Sequence, residues 1–293
     1  MISEINELEL GQKTTMSEPS GATKTVAEQA VAAEWDNNAD LWARSLSHQL
    51  DVINERFGIP QFLDFLGNVE GLDVLDAGCG EGRSARHLAA RGARVTGVDI
   101  SCRMIDHARR QEEAAPRQID FQVASCSDLS RFAPHRFGMV VSVMALMDTP
   151  DLAGALREFA RLIKPGGEIA IMVRHPCFFT RGYTLLHDKN RRSAGLAVAD
   201  YFQRESYLEL WRFPNRGQTM DAPFTVNRYP HTLADYINGL LVYGFRLTGV
   251  MEPQPAAALC TEFPNLGFWR RHAALYLFLR GRKETTALMQ TTG

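Results

Sequence analysis

From Leu72 to Met172 the chain alternates between two hydrophobic periods. Apolar runs at 72–76, 93–98, 119–123, 137–143 and 168–173 are short and continuous, and residues 81–91, 102–113 and 151–163 carry apolar positions at helical spacing. Such alternation predicts parallel strands joined by right-handed helical crossovers, an α/β fold. Pro165-Gly166-Gly167 supplies the turn that stops the third of those helices and starts the fifth strand. After a long irregular interval, 231–243 reads as a helix, 245–251 as extended chain and 273–279 as a continuous apolar strand, which brings the strand count to seven.

Upstream, Ala30, Ala33, Leu41, Leu46, Leu50 and Ile53 recur at roughly helical spacing between Val26 and Phe57, interrupted at Asp36-Asn37-Asn38, so two helices are expected there. Pro60 opens a short helix through Leu66, since proline is tolerated in a first turn, and Gly67 ends it. Residues 25–70 therefore read as an N-terminal helical cap, 71–174 and 231–283 as the core, and 175–230 as a lid over the acceptor side. Residues 1–24 have no apolar period and read as a disordered leader.

Composition narrows the class. A chain of 293 residues with 45% hydrophobic content can bury a large core as one elaborated domain. Lysine and arginine number 32 against 34 acids, so there is no basic excess to meet a nucleic-acid backbone or an anionic membrane, and neither is expected as a partner. Cysteines 79, 102, 126, 177 and 260 have no zinc-ligand spacing, and five is odd for a disulfide framework, so no metal and a reduced cytoplasm are expected. The acidic N-terminus has no apolar run that would serve as a signal peptide or a membrane span. A homo-oligomer is compatible with this composition.

The chemistry concentrates in Val74-Leu75-Asp76-Ala77-Gly78-Cys79-Gly80-Glu81-Gly82, an apolar strand running into glycines at alternate positions, followed by Asp99 at the end of the next apolar run. Glycines there let the backbone turn sharply and approach a ligand closely. The interval from Asp76 to Asp99 is near the roughly 20 residues at which a βαβ unit places an acid on ribose hydroxyls. A dinucleotide site wants Gly-x-Gly-x-x-Gly, and that last step is missing. The acid Asp76 within the motif suits an ammonium group better than a phosphate.

These residues resemble the first motif of the class I S-adenosylmethionine-dependent methyltransferases, an apolar strand, an acid, a small residue and Gly-x-Gly-x-Gly. The likeness extends through Val95-Thr96-Gly97-Val98-Asp99-Ile100-Ser101 to Leu162-Ile163-Lys164-Pro165-Gly166-Gly167-Glu168. It implies a seven-stranded, mostly parallel Rossmann-like sheet whose last strand inserts antiparallel, with S-adenosyl-L-methionine as cofactor. By the same resemblance Asp76, Gly78, Gly80 and Gly82 hold the methionine half, Asp99 takes the ribose hydroxyls, and Ile100 and Met104 flank the adenine. Ser142 to Met147 border the reactive sulfonium, with Met144 as the contact. The family usually has an acid after the third strand for the adenine amino group. Here that position is Ser125, and Ser125 itself, the backbone of Cys126, or Asp128 reaching back are the alternatives. Phe137-Gly138 departs too, where Phe-Asp is common.

Residues 175–230 hold ten of the chain's 27 aromatics, and their arginines and one lysine outnumber their acids. An irregular segment of that length inside a domain is usually functional, and rings with arginines suit a flat or apolar acceptor bearing an anionic group. Methyl transfer needs positioning and a proton acceptor, for which histidine is the default. His175, at the end of the fifth strand, and His231, opening the helix after the lid, are the two candidates, while Trp35, Trp42 and Arg44 are candidates to cap the cofactor. The expected activity is methylation of a small-molecule acceptor, a natural product or other secondary metabolite. The alternatives are a quinone-biosynthesis methyltransferase and an S-adenosylmethionine-binding protein that catalyses a non-methylating reaction.

Overall fold

The computed structural model describes residues 25–47, 51, 53–190, 192–211 and 224–285; the segment read as a leader lies outside them. Helices α1 (Val26–Ser47) and α2 (Ile59–Leu66), the latter entered through a short π-helical turn at Asn54–Gly58, precede the sheet. Then follow β1 (Asp73–Ala77), α3 (Arg83–Ala90), β2 (Arg94–Asp99), α4 (Cys102–Ala114), β3 (Asp120–Val123), β4 (Phe137–Val143), α5 (Leu152–Leu162) and β5 (Ile163–Arg174). Four short strands come next: β6 (Thr184–His187), β7 (Ser193–Ala197), β8 (Tyr207–Trp211) and β9 (Phe224–Arg228). The chain closes with α6 (Leu233–Val242), β10 (Phe245–Met251), α7 (Ala257–Glu262), α8 (Pro264–His272) and β11 (Tyr276–Lys283).

The expected sheet is present. Its order is β10-β11-β5-β4-β1-β2-β3, and β11 lies antiparallel between β10 and β5 while the inner strands run parallel. Apolar clusters cover both faces, one built around Phe137, Phe159 and Tyr236 and the other around Phe57, Phe62, Phe121 and Phe278. Side chains fix the helix starts. Ser101 Oγ accepts from Met104 N (3.1 Å) at the head of α4, Asp151 accepts from Gly154 N (2.8 Å) at α5, and Thr232 and Asp235 form a reciprocal capping box at α6.

Three expectations change. The cap holds one long first helix, because Asp36-Asn37-Asn38 does not interrupt α1. These polar side chains have tertiary partners. Asp36 accepts from Ser101 Oγ (2.6 Å) and Arg103 N (3.0 Å), and Asn38 Nδ2 donates to the Thr225 carbonyl (2.7 Å). Residues 175–230 are not irregular throughout, since β6 pairs with β7 and β8 with β9 as antiparallel hairpins. Two short helices, α7 and α8, stand where no element was expected. No helix among the described residues is long and apolar enough to cross a membrane, and none of their acids, histidines and cysteines cluster as a metal site. All five cysteines are unpaired thiols.

Candidate active site

A cavity opens at the carboxyl ends of β1, β2 and β4, where an open α/β sheet places its ligand. It encloses about 1110 Å³ of non-atom space, open mouth included. Gly78, Gly80, Asp99, Ile100, Met104, Ser125, Cys126 and Met144 all line it, so the structure brings most of the expected cofactor residues into one wall. Gly80 has φ +56° and open space where a Cβ would stand. Met144 adopts φ 58°, a left-handed conformation that a methionine holds only where its surroundings impose it, and its N–H is anchored to the Met172 carbonyl (2.7 Å).

Gly82 and Asp76 stand elsewhere. Gly82 (φ +90°) caps α3, and a Cβ there would lie 2.7 Å from Phe121 Cζ and 3.2 Å from Ala108 Cβ, so its glycine serves helix packing and not the ligand. Asp76 is fully buried one residue behind the wall: Ser84, which lines the cavity, donates to its Oδ2 (2.6 Å). Asp76 Oδ1 is the one buried side-chain polar atom without a hydrogen-bond partner among the described residues. Burial pushes this carboxyl up to about 7, against the Ser84 bond. Asp99 is likewise raised, to about 6, chiefly by burial, although Gly80 N and Ser101 N donate to its two oxygens at 2.9 Å each. Asp99 thus shapes the glycine loop as well as facing the cavity.

The roof is α1. Trp35 and Trp42 line the cavity, pack edge to face at 6.0 Å, and both meet Phe224 of β9. Trp42 Nε1 donates to Glu81 Oε2 (2.7 Å), tying the helix to the glycine loop. Glu28 of α1 also lines the cavity, next to Ser125. Thr25, three positions earlier, marks Glu28 only as a helix-start residue, and no spacing places it at the cavity, because its partners there lie 97 and 99 positions away. Asp128 is exposed and accepts from Ser130 N and Oγ, so it does not reach back.

A second cavity adjoins the first and shares Met147 and Arg228 with it. Its wall carries Phe179, Tyr201, Tyr207, Tyr229, His231 and Tyr236. Between the two spaces runs a buried ionic chain: Arg228 pairs with Asp148, Arg228 Nε donates to Glu209 (2.6 Å), and Arg174 Nη1 donates to both Glu209 oxygens (2.6 and 2.8 Å). Two arginines therefore face two acids, and their charge is balanced within the protein. Burial raises Asp148 to about 6, with Arg228 opposing the shift. Arg174 also lies 4.0 Å over the Phe179 ring.

The two histidines separate. His231 Nε2 lies 2.9 Å from the Thr149 carbonyl, which fixes the proton on Nε2 and leaves the lone pair on Nδ1, and burial lowers its pKa. His175 is not brought to either cavity. Its Nδ1 accepts from Cys177 N (3.2 Å), its Nε2 donates to Glu252 (2.7 Å), and its backbone N–H meets the Leu275 carbonyl (3.1 Å), so both ring nitrogens fasten the end of β5.

Residues 75–171 match the family described as a methyltransferase domain. A ubiquinone biosynthesis O-methyltransferase of Alkalilimnicola ehrlichii is 36% identical over 114 residues, 38% of this chain and 46% of the relative. The chain spans about half the length of such relatives. Among solved structures, one from Listeria monocytogenes assigned as an S-adenosylmethionine dependent methyltransferase aligns with TM-score 0.62 at 25% identity, covering 76% of this chain and 95% of that one. A second S-adenosylmethionine dependent methyltransferase, from Mesorhizobium loti, gives TM-score 0.62 at 24% identity over 76% of this chain and 96% of its own. Sheet order, glycine loop and these likenesses agree: residues 75–171 match a methyltransferase domain, and the fold is the Rossmann-like one of the class I S-adenosylmethionine-dependent methyltransferases.

Proposed function

We propose that this chain transfers a methyl group from S-adenosyl-L-methionine to a small molecule that presents a hydroxyl in the second cavity. The observation that carries the reading is the junction of two cavities, one built on the glycine loop and Asp99, the other on tyrosines and His231, with Met147 and Arg228 common to both. The residues fit the cofactor. Asp76 Oδ1, behind the wall beside Ser84, lacks a donor and can accept from the ammonium group, Gly80 admits the methionine chain against bare backbone while Gly78 lets the loop pass Ala145, and Asp99 offers its remaining lone pairs to the ribose hydroxyls. Ile100 and Met104 suit the faces of the base, and Met144 suits the reacting end.

When bound, the cofactor supplies a methyl group on a cationic sulfonium, so the protein's own task is to align the two centres and to take a proton. His231 is suited to the second part. Its Nε2–H is held by a backbone carbonyl, and its lowered pKa keeps Nδ1 unprotonated near neutrality, ready to accept from a hydroxyl. Arg174 and Arg228 are matched by Glu209 and Asp148, which favours a neutral phenol over a strongly anionic acceptor. The likeness to ubiquinone-biosynthesis O-methyltransferases supports oxygen as the accepting atom and a quinone-pathway phenol beside a secondary-metabolite phenol as acceptor class.

Purified protein incubated with methyl-labelled cofactor and a panel of catechols and simple phenols tests the reading. Label is expected in at least one phenolic product. If no phenol takes label while S-adenosylhomocysteine still binds, the chain is a cofactor-binding protein with another chemistry.

A further inference from the structure

One end of the cofactor cavity is closed by the cap helix instead of the sheet. The sheet runs outward from β1 to β2 to β3, so a nucleoside with its ribose at Asp99 extends its base toward the end of β3, where Ser125 and Cys126 form the wall. Asp128, the acid nearest in sequence, is committed to its own turn. Glu28, reaching over from α1, lines this end and is 5% exposed.

Its carboxylate is held on both oxygens. Thr25 N (2.9 Å) and Thr25 Oγ1 (3.1 Å) donate to Oε2, while Ser125 Oγ (2.6 Å) and Ser127 Oγ donate to Oε1. Ser125 Oγ also accepts from Ser127 N (3.2 Å). Burial would raise the Glu28 carboxyl, but the bonds from Ser125, Ser127 and Thr25 together bring it below its usual value, so it is ionised. The two hydroxyl protons point at the carboxylate, whose oxygens each take two donors, so the lone pairs left on the Ser125 and Ser127 hydroxyls, backed by the Glu28 charge, make this end of the cavity a wall of acceptors. A wall of acceptors receives an N–H and repels a carbonyl.

Resting on the cofactor reading above, we infer that Glu28, with Ser125 and Ser127, reads the exocyclic amino group of the cofactor's adenine. The cap helix then supplies the carboxylate that β3 lacks. Glu28 determines specificity, selecting a 6-amino over a 6-oxo purine, and takes no part in the methyl transfer.

Calorimetric titration of the full chain with S-adenosylhomocysteine and with S-inosylhomocysteine, its 6-oxo counterpart, decides the matter. The wild type should prefer the adenosyl ligand by about tenfold or more, the scale of one hydrogen bond to a charged group. Glu28→Gln should narrow that preference to about threefold or less, mainly by weakening the adenosyl ligand. Equal wild-type affinity for the two ligands overturns the inference whether or not the variant folds. So does a variant that loses the same factor for both ligands, which would make Glu28 a fastener of α1. A wild type that binds neither ligand overturns the inference and the cofactor reading together, whereas the first two outcomes leave that reading standing.

Discussion

Asp76 carries a carboxyl raised from 3.8 to about 7 by burial, with one oxygen unpartnered. An ammonium placed against it favours the ionised form, so below pH 7 binding must release a proton. Affinity for S-adenosylhomocysteine should therefore be flat above pH 7 and fall toward tenfold per unit below it, and calorimetry in buffers of different ionisation enthalpy should show the proton release. In the ligand-free protein the sign is opposite to that of a paired acid. Because the folded pKa lies above 3.8, stability falls as pH rises from about 4 to 7, and Asp76→Asn should raise the melting temperature at pH 8. The histidines divide by their partners. His231→Ala should lower turnover by about 100-fold or more with cofactor affinity unchanged, whereas His175→Ala should lower thermal stability and leave kcat of the folded fraction near wild type. Since the His231 pKa lies below its ordinary 6.5, wild-type kcat should reach half its plateau value only below pH 6.5; a half-maximal rate above pH 7 would contradict this assignment.

At the scale of elements, the glycine loop performs two tasks that its even spacing conceals. Gly80 leaves room on the cavity side, while Gly82 lets α3 close on Phe121 of β3 and Ala108 of α4. Gly80→Val should abolish cofactor binding at a stability cost of about 1–3 kcal/mol from its left-handed backbone. Gly82→Val adds to the same backbone strain an overpacking penalty of about 1–3 kcal/mol, since the Phe121 ring has nowhere to retreat among buried neighbours. Urea denaturation of the two variants should rank Gly82→Val as the less stable, and an equal loss would mean that α3 tolerates displacement. The same scale explains the unbroken α1. Asp36 and Asn38 are weak helix formers, but their side chains bond outward to α4 and β9 and not to their own backbone, which removes the local competition that ends helices.

Across the whole molecule, α1 links three bodies. It meets α4 through Asp36 and Asp40, the glycine loop through Trp42, and hairpin β8–β9 through Asn38 to Thr225 O and Glu34 to Asn227 N (3.0 Å). The hairpin in turn is held to the core by Arg228 with Asp148 and by Tyr229 N to the Met147 carbonyl (3.0 Å). Filling the cofactor cavity should thus tighten the cap and β9 together, while β6–β7, whose strands line neither cavity, gains nothing. Hydrogen exchange with and without S-adenosylhomocysteine should show slower exchange over 26–44 and 224–228 and little change over 184–187. Protection confined to 78–84 would mean that α1 is a static roof.

The sequence alone determined what is local or periodic: the alternation of strands and helices, hence the parallel sheet, and the glycine loop with Asp99, hence a nucleoside site at the strand ends. Period and turn chemistry act over a few residues, so they are written in consecutive positions. The antiparallel placement of the final strand came through family resemblance, and the structure bears it out. Tertiary structure decided everything that depends on which distant groups meet. Nothing near Glu28 announces Ser125 and Ser127, and nothing near Arg228 announces Asp148, 80 positions away. His175 and His231 look alike in sequence, each beside a proline at an element boundary. They part only because one meets Glu252 and Cys177 N and the other meets Thr149 O at the wall of a cavity. A buried polar group's role is set by the partner that replaces water, and that partner is chosen by the fold.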